Sequence, residues 1–67
     1  MKRIFQTIVT ADKAGDMKMS FASVEKALDD IDGSVAFSRT PRGQEVWGNI
    51  TGAVIFNKET GETTTVI

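Results

Sequence analysis

The sequence predicts a small α+β domain, in which an antiparallel β-sheet packs against one amphipathic helix. The chain is rich in β-branched residues, with six Val, six Ile and eight Thr against a single Leu, and such side chains favour strands. One stretch instead has the spacing of a helix that is apolar on one side. Its apolar positions are Phe21, Val24, Ala27, Leu28 and Ile31. With 67 residues in all, we expect residues 1–67 to form one domain.

The first strand is expected over residues 2–10, followed by a turn over residues 11–16. Residues 17–21 alternate between apolar and polar, which fits either a second strand that completes a hairpin or an extended lead into the helix. The element order is therefore ββαβββ or βαβββ, with four or five strands.

The helix is expected to begin at Ser20 or Ser23, because either hydroxyl can cap the free backbone N–H groups of a first turn. Gly33 follows the last periodic apolar residue, a position where helices commonly end. The predicted helix is thus about 10–12 residues long.

Two hairpins are predicted after the helix. Residues 34–39 alternate like a strand, Thr40-Pro41-Arg42-Gly43 fits a turn, and residues 45–57 form the return strand. That register pairs Arg39 with Glu45 and Phe37 with Trp47. A second turn over residues 58–61 leads into the last strand, with the predicted pairs Lys58–Glu62 and Val54–Val66.

The predicted strands are apolar on both sides. The first carries Ile8 on one side and Val9 on the other, and the last hairpin places Val54 and Ile55 on opposite sides. One short helix covers only one face of a sheet, and contiguous exposed apolar surface generally marks an interface. We therefore expect a homo-oligomer, most simply a dimer. The alternative is a sheet that curls strongly over its own second face.

The residue inventory argues against an enzyme. The chain has no His, the usual acid–base side chain near neutral pH, and no Cys to act as a nucleophile or metal ligand. We therefore expect no catalytic residues, no cofactor and no bound metal. With a net charge of −1, the chain does not have the basic character typical of proteins that coat nucleic acid. The absence of Cys, of an export signal and of a long apolar stretch favours a cytoplasmic protein that does not enter a membrane.

An acidic stripe is expected on the outer side of the helix. Its members are Glu25, Asp29, Asp30 and Asp32. They are a candidate docking face for a basic partner or a weak site for a divalent cation. The alternative is an ordinary solvated surface that keeps the protein soluble.

Arg39, Arg42 and Trp47 form the second candidate site. On the predicted hairpin, a guanidinium group near an indole ring can bind phosphate and stack on a base. The structural alternative pairs Arg39 with Glu45 and places Trp47 in the core or an interface.

These features favour a non-catalytic interaction protein, of the accessory or inhibitor type frequent among small bacterial and phage proteins. We expect it to act as a homo-oligomer and to bind a partner protein through a sheet edge, a sheet face or the acidic helix face. The alternative function is binding of nucleic acid or a small nucleotide through Arg39, Arg42 and Trp47.

Overall fold

The computed structural model describes residues 2–67 and confirms the predicted α+β class. Four antiparallel strands form one sheet in the order β2-β1-β3-β4, with a long helix packed against it. The elements are β1 (Phe5–Ala11), β2 (Gly15–Phe21), α1 (Val24–Ser38), α2 (Pro41–Val46), β3 (Ile50–Asn57) and β4 (Thr63–Thr65).

Residues 17–21 form part of a second strand that completes an N-terminal hairpin, which is the first of the two predicted alternatives. β2 pairs with β1 along its whole length, from Phe5 opposite Phe21 to Ala11 opposite Gly15. Gly15 has a φ of 71°, a conformation that Gly adopts without the cost that a side chain imposes. The turn chemistry and the alternation of the methionines therefore specify this hairpin locally.

Helix α1 begins where expected and ends later than expected. Ser23 is the N-cap, and its Oγ accepts a hydrogen bond from the backbone N–H of Lys26. The prediction that the helix ends at Gly33 and that residues 34–39 form a strand is wrong. Val35 and Ser38 continue the inward-facing spacing of Ile31, so burial of one side of the last turns outweighs the roughly 1 kcal/mol that Gly costs inside a helix.

The predicted turn at Thr40–Gly43 is the start of helix α2, and the predicted hairpin around it does not form. Thr40 caps α2, accepting a hydrogen bond from the N–H of Gly43 at 3.0 Å, and Pro41 occupies the first turn, where its missing N–H costs nothing. Gly43 lies so close to α1 that an added Cβ would be 1.8 Å from the carbonyl oxygen of Phe37. The strand predicted over residues 45–57 therefore begins only at Ile50.

The C-terminal hairpin is confirmed, but its register differs from the predicted one by one residue. Val54 lies opposite Thr65 and not Val66, and Lys58 does not pair with Glu62 because it lies inside the turn. The side-chain oxygen of Asn57 accepts hydrogen bonds from the backbone N–H groups of Glu59 and Thr60, at 2.9 and 3.1 Å. This local capping keeps all of residues 58–61 in the turn, whereas the predicted Lys58–Glu62 pair would leave only three residues between the strands.

The core lies between α1 and one face of the sheet. Its members are Val9, Ala27, Ile31, Ala53 and Ile55. Helix α2 packs only against α1, so it adds no second layer to the sheet. Of the two helices in residues 2–67, neither is long and apolar enough to span a membrane.

Candidate interaction surfaces

The sheet has one face that α1 covers and one face that no element of residues 2–67 covers. Successive residues of a strand point to opposite faces, so the neighbours of the buried residues Val9, Ala53 and Ile55 point away from the helix. We call this second surface the open face. Its central residues are Ile8, Val54 and Phe56, and Ile8 lies directly opposite Val54 in the register. All three side chains are partly exposed.

Polar residues flank the apolar centre of the open face. Asp16, Lys18 and Ser20 lie on β2 at one edge, and Thr63 and Thr65 lie on β4 at the other. An apolar strip with a polar border is typical of protein–protein contact surfaces. The structure therefore places apolar side chains on both sides of the two central strands, which is the feature that motivated the expectation of an oligomer.

Two charged groups mark opposite ends of the open face. The carboxylate of Asp16 accepts a hydrogen bond from the hydroxyl of Thr10 at 2.8 Å, where β2 begins. Lys58, just beyond the other end of β3, extends its ammonium group to Ser20 on β2, with 2.8 Å between Nζ and Oγ. Both charges thus lie over the same strand, β2, near its two ends.

A second apolar surface lies between α1 and β4. The helix packs against β1, β2 and β3 but makes no contact with β4, which leaves a groove of about 250 Å³. Val24 and Leu28 form its helical wall, Val66 stands on the strand side, and Phe5 and Ile55 line it from within the sheet. Sequence reasoning missed this groove, because the predicted register placed Val66 on the opposite face from Ile55.

The acidic residues of α1 separate into two groups. Glu25, Asp29 and Asp32 are exposed on the helix. Asp30 is partly buried on another side, where its Oδ2 accepts a hydrogen bond from the hydroxyl of Thr7 at 3.1 Å. Thr7 is fully buried, so this contact satisfies a hydroxyl inside the apolar layer. Asp30 therefore has a structural contact that its three neighbours lack.

Arg39, Arg42 and Trp47 lie around the α1–α2 junction and not on a hairpin. Trp47 packs edge-on against Phe37, with 4.6 Å between ring centroids, so the predicted aromatic contact exists between helical segments and not between strands. The guanidinium of Arg42 is 3.9 Å from the carboxylate of Glu45, and both side chains are largely exposed.

The three residues do not line a common cavity. Arg39 borders a depression with Ile50 and Ile67, whereas Trp47 borders a different one with Val9 and Met17. The ion pair of residues 2–67 joins Arg42, and not Arg39, to Glu45. The phosphate-binding alternative stays a prediction, without the hairpin geometry on which it was based.

Within residues 2–67, no group of three or more acidic side chains is arranged so that it can hold a metal ion. Comparisons of the chain with protein-family models, with curated proteins and with solved structures find no match. The open face and the groove are therefore the surfaces on which a functional proposal rests.

Proposed function

We propose that this protein is a non-catalytic interaction module that pairs with a second copy of itself through the open face and binds a partner protein. The observation that carries the proposal is the apolar centre of the open face, formed by Ile8, Val54 and Phe56 on the two central strands. Burying apolar surface stabilises an assembly by about 25 cal/mol per Å². A second copy supplies an equivalent apolar strip, which is how two sheets pack face to face.

Two charges of the open face, those of Asp16 and Lys58, are complementary in a two-fold pair, whereas Lys18, midway along β2, lies opposite the partner's Lys18 at the edge of the interface. In this pair the two-fold axis lies in the plane of the interface, perpendicular to the strands. Each β2 then lies over the partner's β2 and runs in the opposite direction. The ammonium group of Lys58, held over Ser20, then approaches the partner's Asp16, and symmetry generates the same contact twice. Complementary charges of this kind fix the orientation of a pair more than they add affinity.

The size of the open face indicates a weak dimer. Three strands of seven or eight residues and one of three residues span at most roughly 19 by 23 Å. Stable interfaces usually bury about 800 Å² of accessible surface on each partner, so this footprint lies at the low end of the range. We expect a dissociation constant in the micromolar range, on the order of 10 μM.

Sedimentation equilibrium over a concentration series tests the proposal. The expected result is a mass that rises from 7.3 kDa to twice that value between about 1 and 300 μM. Replacing Phe56 by Ser removes an apolar side chain from the centre of the open face, and we expect it to weaken dimerisation by about tenfold or more.

Val46→Ser provides the matched control. Val46 is an exposed apolar residue of α2, remote from the sheet, so its replacement should leave the association unchanged. A wild-type protein that stays at 7.3 kDa at 300 μM would contradict the proposal. Equal effects of the two substitutions would contradict the assignment of the interface to the open face.

A further inference from the structure

The groove between α1 and β4 concentrates exposed apolar side chains on the side of the molecule opposite the open face. Six large apolar side chains are exposed in residues 2–67, and three of them line this groove: Val24 at 43%, Leu28 at 39% and Val66 at 37%. The groove is thus an apolar surface of its own, separate from the proposed dimer interface.

The charged residues around the groove are acidic. Glu62 is the one charged side chain among its lining residues. Glu25 and Asp32 lie three and four residues from Leu28, which places them within one turn of the helical wall. Lys26 borders a different cavity, together with Arg3. An occupant with basic side chains beside its apolar ones therefore matches both properties of the groove.

The outer edge of β4 is free to accept another strand. Backbone hydrogen bonds join Asn57 to Glu62 and Val66 to Ala53, so every second residue of β4 faces β3. The backbone groups of Thr63 and Thr65 consequently point away from the sheet. Neither Lys nor Pro, the residues that commonly block an edge, occurs in this strand.

We infer that the groove binds an extended basic segment of a partner protein, which adds to β4 as a fifth strand. Apolar side chains in the middle of one face of that segment enter the groove beside Leu28 and Val66. Lys or Arg side chains toward the ends of the same face reach Glu62, Glu25 and Asp32. Backbone pairing supplies affinity and the groove supplies specificity, as in other cases of strand addition. The inference names the partner chemistry of the proposed function and uses a surface other than the dimer interface.

The probe for this inference, the Lys–Leu peptide, has about ten residues: Thr at every second position, and Lys, Leu, Leu, Leu and Lys at the positions between. In an extended chain the leucines and both lysines then point to one face. Titration into ¹⁵N-labelled protein should shift the amide signals of Val24, Leu28 and Thr63–Val66. The Glu–Leu peptide, in which Glu replaces both lysines, should bind at least tenfold more weakly because of charge repulsion. A peptide of the same Lys–Leu composition with its leucines clustered should also bind more weakly.

A matched pair of substitutions distinguishes docking in the groove from attraction to the whole acidic protein. Leu28→Lys and Val46→Lys each introduce one Lys at a helical apolar residue that is 39% exposed. We expect Leu28→Lys to weaken binding of the Lys–Leu peptide at least tenfold and Val46→Lys to change it less than twofold. Glu62→Lys gives a second groove variant and should weaken binding several-fold.

Three results would overturn the inference: equal effects of Leu28→Lys and Val46→Lys, signal changes centred on β2, or equal binding of the Glu–Leu peptide. Sedimentation of Leu28→Lys keeps the two proposals apart, because this variant should dimerise like the wild type. Groove binding by a protein that remains a monomer would contradict only the proposed dimer.

Discussion

Both faces of the sheet carry apolar side chains on the central strands, but the two faces lie in different environments. On β1, Val9 is 2% exposed beneath helix α1, whereas its neighbour Ile8 is partly exposed on the open face. On β3, Ile55 is buried and the adjacent Val54 is not. The strands therefore carry apolar side chains toward both layers, and the chain supplies a covering helix for only one of them.

The same strands thus contribute to a core beneath α1 and to an apolar centre that no element of residues 2–67 covers. A sheet with one solvated face normally alternates between apolar and polar residues. Here the open face is polar on the edge strand β2, at Asp16, Lys18 and Ser20, and at Gln6 and Thr10 on β1. It is apolar at Ile8, Val54 and Phe56, near the middle of the two central strands. The apolar character of the open face is thus confined to the region that a second sheet would cover best.

The sharpest test of this difference replaces one Ile by Ala on each face of the sheet. Ile55→Ala creates a cavity beneath α1, and we expect it to lower the free energy of unfolding by about 4 kcal/mol. Ile8→Ala should lower the free energy of unfolding of the monomer by only about 1 kcal/mol, because its side chain is already partly exposed. Urea denaturation at low micromolar concentration measures both values.

Sedimentation should then show whether the substitution on the open face weakens dimerisation. Ile8→Ala is expected to raise the dimer dissociation constant about tenfold. Equal losses of monomer stability in the two variants would contradict the assignment of these residues to a covered and an uncovered face.

A second test disturbs the packing of α2 against α1, the helix that covers the sheet. A Cβ at Gly43 would meet the backbone of α1, so Gly43→Ala should force the helices apart and lower the free energy of unfolding by about 3 kcal/mol. Thermal denaturation followed by circular dichroism measures the change.

Gly33→Ala is the matched control for this second test. Nothing lies within 4 Å of a Cβ added there, and Ala is the better helix former, so we expect a gain of about 0.5–1 kcal/mol. A Gly43→Ala protein as stable as the Gly33→Ala protein would mean that α1 and α2 are not in the close contact described.

The smallest expected effect concerns the orientation of the dimer. Lys58→Glu and Asp16→Lys should each raise the dissociation constant about threefold, since exposed ion pairs contribute less than 1 kcal/mol. In the doubly substituted protein the two charges are exchanged, and association should return to within about twofold of the wild type. Sedimentation at 20 and 200 mM salt measures these values, and additive losses in the double variant would exclude the two-fold arrangement described.

Local signals explain which parts of the fold the sequence could predict. The turns at Gly15 and Gly61 and the cap at Ser23 act through neighbouring residues. The sequence predicts both turns and offers Ser23 as one of two caps, although the register beyond Gly61 is shifted by one residue. Gly33 and the Thr40–Gly43 segment are ambiguous, because a glycine also occurs inside helices and Thr-Pro also starts them. Packing against the sheet and between the helices resolves these two choices, and a local pattern does not contain that information.

The same distinction applies to the candidate surfaces. The apolar open face followed from alternation on β1 and β3, which depends on strand geometry alone. The groove depended on the register of β4, where a shift of one residue moves Val66 to the other face. The grouping of Arg39, Arg42 and Trp47 depended on a hairpin whose residues form two helices.

The central claim, that a second copy covers the open face, is tested most directly by isotope-filtered nuclear Overhauser spectroscopy on an equal mixture of labelled and unlabelled protein at about 0.5 mM, well above the expected dissociation constant. Intermolecular contacts are expected between the side chains of Ile8, Val54 and Phe56 and those of the other copy. Intermolecular contacts confined to Leu28 and Val66, or none at all, would contradict the claim.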